Sequence, residues 1–540
     1  MAARPARSSP SSWATRCTAT AWPRATASRP SSPSSGRHQR VVTAQTRPAS
    51  PPATRLGDLV QWLRERTEVE EHGEPGTVVT GITLSTQRTR PGDLYVALPG
   101  ARAHGLDFAD EARAGGAVAV LSDRPGADVV VPEPRRVLGA LSAHVYGEPA
   151  TSMRMVGVTG TQGKTTTTRL AEAGLEAAGV PAAVIGTVGT RILGEELKTA
   201  LTTPEAPDLH ALFAVMRERG VQACAMEVSS HALVLGRVDG VVFDVAVFLN
   251  LGRDHLDFHT DEEDYYRAKA SLFTPERARL ALVNADDAHG RRLAGETALP
   301  VRTFSVTGAA GGAEADWTAY DVAPGPGGTT FRVRGPGGVD VPAGVSLPGS
   351  FNVANALAAV AATAEAGADA GAVAAGIAAG AGVPGRFERV EAGQPFTVVV
   401  DYAHKPDAVQ AALASLRPLT DGRLLIVLGA GGDRDPGKRP IMGEIAARLA
   451  DVVVVTDDNP RSEDPAAIRA AVLAGARAGT AEVLEEGDRR AAIAAALDRA
   501  RPGDIVVVAG KGHETGQEVG DVVHPFDDRA VVRDLLTGHR

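Results

Sequence analysis

The chain has 540 residues, 44% of them apolar and only 4% aromatic, with a formal net charge of −9. That length exceeds one hydrophobic core and predicts about three or four domains, while an acidic body argues against nucleic acid as the main partner. No run of about 18 apolar residues appears, so no membrane insertion is expected; two cysteines, Cys17 and Cys224, offer no disulfide framework and suit a reducing cytoplasm.

The first fifty residues stand apart, with eight arginines, no lysine and no acid among many Ser, Pro, Ala and Thr. Such a segment cannot bury a core and is expected to be disordered. The composition is also that of an organelle transit peptide, but an over-extended start is the preferred reading, with translation beginning near Val41-Val42. Setting the eight arginines aside takes the formal charge from −9 to −17. Arg47-Pro48-Ala49-Ser50-Pro51-Pro52 reads as a linker, so residues 1–52 are assigned to tail and linker. Pro91-Gly92-Asp93 then precedes an apolar run at 94–98, a helical stretch follows, and 117–121 reads as a second strand. This is a small α/β module over 53–150.

Gly157-Val158-Thr159-Gly160-Thr161-Gln162-Gly163-Lys164-Thr165-Thr166-Thr167 joins an apolar strand at 153–156 to a helical pattern at 169–178. A glycine-rich turn in that setting aims backbone N–H groups and a helix N-terminus into one concavity that suits phosphate. Lys164 adds a full charge, and a threonine hydroxyl after it can ligate Mg²⁺. Val158 stands where the strict GxxxxGK[ST] pattern wants glycine, so the loop is a shorter variant. Met226-Glu227-Val228-Ser229-Ser230-His231 follows an apolar strand, as the metal-binding acid of an ATPase does and as a polar surface loop also does. After a strand at 241–250, Asp254-His255-Leu256-Asp257-Phe258-His259 packs two His and two Asp into six residues, which points to a metal or phosphate site. Thr260 is read as an N-cap with Glu263 completing a capping box. The helix it opens, 261–273, carries Lys269, which taken alone reads as a solvated lysine. A strand at 280–284, hairpins and loops over 307–349 and an alanine-rich helical stretch at 355–379 complete a unit spanning 151–383.

In the last unit, 384–540, apolar runs at 424–428, 452–455 and 505–509 alternate with helical patterns, which predicts a parallel sheet. Ligands of such sheets lie outside the carboxyl ends of the strands. The loops leaving these runs, Gly429-Ala430-Gly431-Gly432-Asp433-Arg434, Asp457-Asp458-Asn459-Pro460-Arg461 and Gly510-Lys511-Gly512-His513-Glu514, are therefore expected to share one composite site. A dinucleotide reading of the first is weak, because the third glycine of GxGxxG falls at Arg434.

Taken together the motifs resemble the Mur ligases of peptidoglycan synthesis, and within them the third-residue ligases. Gly160-Thr161-Gln162-Gly163-Lys164-Thr165-Thr166-Thr167, Glu227-Val228-Ser229-Ser230-His231, Arg253-Asp254-His255-Leu256-Asp257, Ala268-Lys269-Ala270-Ser271-Leu272-Phe273, Asn352-Val353-Ala354-Asn355, Pro384-Gly385-Arg386-Phe387-Glu388, Asp401-Tyr402-Ala403-His404 and Lys511-Gly512-His513-Glu514 stand in the family's order from about residue 83 to the C-terminus. The resemblance implies an α/β, three-domain protein: a uridine-binding module, a P-loop ATPase with a mostly parallel sheet, and a C-terminal Rossmann-like domain. It implies an ATP- and Mg²⁺-dependent amide ligase working through an acyl phosphate on UDP-N-acetylmuramoyl-L-alanyl-D-glutamate, monomeric and cytoplasmic.

The same resemblance carries roles to matching positions. Gly160, Thr161, Gln162, Gly163, Lys164, Thr165, Thr166, Asn355, Arg386 and Asp401 would bind ATP. Thr165 with Glu227 would ligate a first Mg²⁺, His255 would help hold a second, and Lys269 would act as a carbamate facing the metals. Thr202, Thr203, Ser229 and Arg237 would grip the muramoyl peptide, and Ser85 the uridine end, although Ser85-Thr86-Gln87-Arg88 departs from the commoner Asp-Ser-Arg. Lys405 likewise replaces a frequent threonine. Asp458-Asn459-Pro460-Arg461 is the family's diaminopimelate-type motif. Arg461 would fork onto the carboxylate that lysine lacks, Arg434 onto a second one, and Gly510 with Glu514 would hold the distal end. The alternative is an Arg461 that only pairs with Asp458 or Glu463 on the surface. Two rival readings are folylpolyglutamate synthase, which lacks the N-terminal module and the Asp-Asn-Pro-Arg loop, and a catalytically dead nucleotide-binding scaffold, against which Lys164, Glu227, His255 and Lys269 argue.

Overall fold

A computed structural model describes residues 46–538 apart from 101, 198, 200, 308–314 and 326–327. Of the first fifty residues expected to be disordered, 1–45, with the alternative start, lie outside the described residues, while 46–50 are ordered and correct that expectation. The stretch after them has contacts that a bare linker lacks. Arg47 is buried, pairs with Asp93 at 3.2 Å and donates to Tyr146 Oη, while Ala49 N and Ser50 N both donate to Glu218 at 2.8 Å.

Three sheets organise the chain. The first has five strands in the order Glu70–Glu71, Val129–Val130, Ala119–Ser122, Asp93–Ala97, Gly81–Thr83. Its core runs on into the helix Ala206–Glu218 of the next unit through Ala206, Ala211 and Ala214. The second sheet has eleven strands. Its parallel centre reads Ala182–Gly186, Ala223–Glu227, Arg154–Thr159, Val245–Phe248, Ala281–Asn284, Val301–Ser305. The segment expected to form hairpins, 307–349, supplies an antiparallel edge, Trp317–Gly325, Gly328–Gly335 and Val339–Val345. The alanine-rich stretch splits into two helices, Ser350–Glu365 and Ala370–Ala379. They pack beside the helix Lys164–Ala177, where small side chains let helices approach closely.

The third sheet has six strands, in the order Glu388–Arg389, Thr397–Asp401, Ile505–Ala509, Leu424–Leu428, Val452–Val455, Glu482–Glu485. All pair in parallel except the first. The runs expected at 424–428, 452–455 and 505–509 match these strands. Every residue in the three is buried, as an unbroken apolar run covered by helices on both faces must be. No helix among the described residues is long and apolar enough to cross a membrane.

Topology places the chemistry. In the large sheet Arg154–Thr159 lies between Ala223–Glu227 and Val245–Phe248, all parallel, and the chain order reverses there. Loops after these three strands therefore open at one edge, the usual ligand position in such sheets. The same logic gathers the loops after residues 401, 428, 455 and 509 in the third sheet.

Candidate active site

The chain leaves Thr159 through Gly160 and turns at Gly163 into the helix Lys164–Ala177. Gly163 has φ +87°, and a Cβ there would lie 2.3 Å from Asn355 Oδ1, so backbone and neighbour both require glycine. Asn250 Oδ1 holds the turn from the adjacent strand, accepting from Thr161 N at 3.1 Å and Gln162 N at 3.0 Å. Thr161 Oγ1 accepts from Gly252 N at 2.9 Å. Lys164 Nζ donates to Gly160 O at 2.8 Å and Thr161 O at 3.2 Å. Burial lowers its pKa to about 8, with Glu227 pulling the other way. Thr166 and Asn355 are buried in the same wall.

Lys269 is 1% exposed, which corrects the reading of a solvated lysine. Its helix, Glu262–Ala270, turns it inward to donate to Gly160 O at 2.9 Å, with Nζ 4.4 Å over the Tyr265 ring. Burial first, and the charge of Lys164 second, push its pKa well below the ordinary lysine value. The helix start also differs from expectation. Asp261 is the N-cap, accepting from Asp264 N at 2.8 Å, while Thr260 N donates to Asp264 Oδ2. The Asp261 carboxylate stands at the position from which it reaches the free amide of Asp264, and Thr260 lies one residue too early.

Glu227 ends its strand buried, accepting from Thr187 N at 2.7 Å and Thr187 Oγ1 at 3.0 Å. Thr202 Oγ1 lies 3.1 Å from Thr187 Oγ1. Thr203 Oγ1 donates to Glu227 O at 2.9 Å and accepts from Ser229 N at 3.3 Å. Arg237 donates to Glu205 Oε1 at 2.8 Å and to Thr203 O at 3.4 Å. Thr202, Thr203, Ser229 and Arg237 thus join one network around Glu227. Ser85 sits on the N-terminal unit in a local turn, bonded to Thr83 and Thr89, apart from that network.

Among the contacts that join the middle and C-terminal units are those of Arg386 and Lys405. Arg386 Nη2 donates to Thr165 Oγ1 at 3.2 Å and its guanidinium stacks 4.3 Å over Tyr402. Asp401, buried, fixes the hinge by accepting from Phe387 N at 2.9 Å and Ala403 N at 2.8 Å. Lys405 ion-pairs with Asp254. Burial alone would raise the Asp254 pKa, but Lys405 and His255 bring it down to about 2. His255, at φ +53°, holds Nε2 3.2 Å from Asp254 Oδ2. Burial lowers its pKa to about 4, so the imidazole is neutral at neutral pH.

A cavity of about 860 Å³ lies across this junction. One wall is Asp254 and His255; the other is Arg434, Asp458, Asn459, Arg461, Gly510 and Glu514, so the metal-side and amino-acid-side candidates face one space. Gly432 lets the two C-terminal loops touch, since a Cβ there would lie 1.9 Å from Pro460 O. Asp458 is buried and its pKa raised by burial against the pull of Arg489 and Lys511. Asn459 donates to Glu514 Oε2 at 2.9 Å and accepts from Lys511 Nζ at 2.9 Å. Arg461 pairs with neither Asp458 nor Glu463; its Nε donates to Glu518 at 2.7 Å and Nη1 to Gly432 O at 2.8 Å. Glu463 goes to Arg439 instead. Among the described residues Arg434 makes only a long contact to its neighbour's carbonyl, Asp433 O, at 3.5 Å.

No group of three His, Cys, Asp or Glu side chains able to hold a metal converges among the described residues. Mg²⁺ asks for less, because it takes one or two carboxylates, keeps water and completes its shell with substrate phosphates. The hydroxyl of Thr165 and the carboxylate of Glu227, at the ends of neighbouring elements, are hard oxygen donors of that kind. Residues that motif reading left without roles also emerge here. Lys511 is a fully buried cation, 3.1 Å from Glu514 and 3.8 Å from Asp458. Arg489, also buried, bonds Asp528 at 2.7 Å and Ala509 O at 2.9 Å. Lys511 stood inside a quoted motif; Arg489 and Glu518 had no signal, being ordinary charges in helical and strand patterns.

Comparison with known proteins places these features. Models of the Mur ligase family match in three segments: the family's catalytic domain at residues 78–146, the middle domain at 158–363 and the glutamate ligase domain at 385–512. A Streptomyces avermitilis protein named UDP-N-acetylmuramoyl-L-alanyl-D-glutamate--2,6-diaminopimelate ligase is 55% identical over 505 residues, covering 91% of this chain and 98% of that protein. A solved structure of a ligase bearing the same name superposes with a TM-score of 0.66 at 33% identity, covering 90% of this chain and 99% of that one. Mycobacterium tuberculosis folylpolyglutamate synthase complexed with ADP and AMPPCP shares the fold over 70% of this chain and 93% of its own, at 21% identity and a TM-score of 0.57.

Proposed function

This chain belongs to the Mur ligase family, and from that premise we propose that it is the ATP-dependent amide ligase adding meso-2,6-diaminopimelate to the D-glutamate of UDP-N-acetylmuramoyl-L-alanyl-D-glutamate. The observation that carries the reading is the single cavity shared by the Asp254–His255 loop and the Asp458, Arg461 and Glu514 loops. A ligase needs an activated carboxylate and an incoming amine in one space, and a cavity shared by these loops supports that reading. The rival fold-mate matches 70% of the chain at 21% identity, against 91% at 55% identity for the Streptomyces avermitilis ligase.

The chemistry needs a leaving group, because a carboxylate is a poor acyl donor. The γ-phosphate of ATP passes to the glutamate side-chain carboxylate, the amine attacks the acyl phosphate, and phosphate departs. Lys164 and the amides of Gly160, Thr161, Gln162 and Gly163 hold the phosphates, Thr166 lines the same turn, and Asn355, Arg386 and Asp401 bracket the nucleotide. Thr202, Thr203, Ser229 and Arg237 hold the muramoyl peptide, and Ser85 faces the uridine end. Thr165 and Glu227 would hold one Mg²⁺ and His255 would help hold a second, and the ions would supply charge neutralisation for phosphoryl transfer. Carbamylation of Lys269 requires a neutral amine, and the burial of that side chain favours one. Arg461, Arg434, Asp458, Asn459, Gly510 and Glu514 receive diaminopimelate, with Pro460 shaping their loop. The units 53–150, 151–383 and 384–540 then serve uridine, ATP and amino acid in turn, in a cytoplasmic monomer.

Amino-acid-dependent phosphate release with the UDP-muramoyl dipeptide and ATP tests this, comparing meso-diaminopimelate with L-lysine. Release should depend on diaminopimelate; faster turnover with lysine would sink the substrate assignment.

A further inference from the structure

The hairpin formed by Gly516–Val519 and Val522–Pro525 is bonded to the loop that carries Asp458, Asn459 and Arg461. Gln517 Nε2 donates to Asp458 O at 2.8 Å, and Glu518 N donates to Asn459 Oδ1 at 3.0 Å. Arg461 N donates to Glu518 O at 3.1 Å, and Gly520 N donates to Arg461 O at 2.8 Å. Arg461 itself has φ +51°, a left-handed backbone that an arginine does not keep without such a ladder. The hairpin therefore sets both the position and the backbone conformation of this arginine.

The guanidinium is equally constrained. Its Nε corner is taken by Glu518 Oε2 at 2.7 Å and one Nη1 hydrogen by Gly432 O at 2.8 Å. Nη2 has no partner among the described residues, and Arg461 lines the cavity. A free arginine offers a carboxylate either its Nε–Nη2 side or its Nη1–Nη2 end. With Nε occupied, only the end is left. We propose that Glu518 is a positioning residue for amino-acid selection, one that orients Arg461 so that Nη2 meets the distal carboxylate of the incoming substrate. The inference rests on the reading of Arg461 as the group that binds that carboxylate.

The pair is half open to solvent, with side-chain exposures of 25% for Arg461 and 45% for Glu518. Such pairs contribute little to folding, so its removal is readable as a binding effect. The experiment is steady-state phosphate release by the full chain, with Glu518→Ala, Glu518→Gln, Arg461→Ala and the Glu518→Ala/Arg461→Ala double variant. Glu518→Ala should raise the KM for diaminopimelate about three- to tenfold, with kcat, the KM for ATP and the melting temperature unchanged. Glu518→Gln, whose amide oxygen still accepts from Nε, should return the KM to within about twofold of the parent. In the Arg461→Ala background, Glu518→Ala should add nothing, because it acts through the arginine. An unchanged KM in Glu518→Ala, a Gln variant as impaired as the Ala variant, or full additivity with Arg461→Ala each overturns the inference. A diaminopimelate KM unmoved by Arg461→Ala alone overturns the selector reading itself, and this inference with it.

Discussion

Replacing Lys269 by methionine should make the protein more stable and catalytically dead. Lys269 is 1% exposed, and among the described residues its amine donates to one acceptor, Gly160 O at 2.9 Å, beside the Tyr265 ring at 4.4 Å. That carbonyl keeps a second donor, Lys164 Nζ at 2.8 Å, so removing Lys269 orphans nothing. Methionine fills nearly the same volume with no polar atom. Taking a polar amine out of water with one weak partner costs about 1–3 kcal/mol, and methionine recovers it. A folded-state lysine pKa below the unfolded one means that the unfolded chain binds more protons between the two, so this cost is largest at low pH. It fades as pH rises towards the ordinary lysine value. At about 2–4 °C per kcal/mol for a unit of this size, the melting temperature should rise by about 2–12 °C. Thermal unfolding in CO₂-stripped neutral buffer without nucleotide measures this, alongside phosphate release with the dipeptide substrate. A melting temperature that falls would show that the buried amine has partners enough to be structural, and would refute the reasoning.

Arg461→Ala should raise the KM for diaminopimelate about 10- to 100-fold through loss of a charge-assisted pair. The KM for ATP should hold, since the bonds of Arg461 all lie within the C-terminal loops; equal changes in both would point to misfolding instead. Lys164, with its pKa lowered to about 8, should take up a proton when triphosphate binds, and the uptake should grow as pH rises above about 8. Calorimetry in two buffers of different ionisation enthalpy reads this, and proton release at about pH 9 would contradict it. Asp528→Asn should leave the guanidinium of Arg489 buried without its counter-charge and cost about 3–5 kcal/mol. The diaminopimelate KM should rise as well, because Arg489 Nη2 also holds Ala509 O at 2.9 Å beside Gly510; an unchanged melting curve would dismiss that role.

The sheet of the last unit was legible because its strands are continuous buried runs, and periodicity alone locates residues such as 505–509. The phosphate turn was legible because its glycines answer a backbone demand that no other residue meets. Lys269 was not, since a lysine on a charged helix looks the same whether it faces water or Gly160. The alanine-rich stretch hid its break for a related reason: Gly367 and Asp369 act through a turn and a cap, which a run of alanines conceals. Glu518 was invisible because its importance lies in pairing across 57 residues with Arg461, and no local pattern carries that distance.

The junction itself explains why family motifs scattered along the chain belong together. Lys164, Lys269 and Lys438 all have pKa values lowered first by burial, and Lys405 adds repulsion to each. Asp254 is the acid that answers Lys405 directly. Without ligand, Lys164, Lys269, Lys405 and Lys438 therefore stand close enough to repel one another, in a setting that screens poorly. Triphosphate, the glutamate carboxylate and the carboxylates of diaminopimelate are all anions, and an anion beside these lysines relieves part of that repulsion. Charge that is fixed in place before substrates arrive needs no rearrangement when an anionic acyl phosphate forms, which is the arrangement that electrostatic stabilisation requires. On this argument Lys405 adds to the field rather than merely being tolerated. The neighbouring Asp254 keeps it aimed at the seam between the two units.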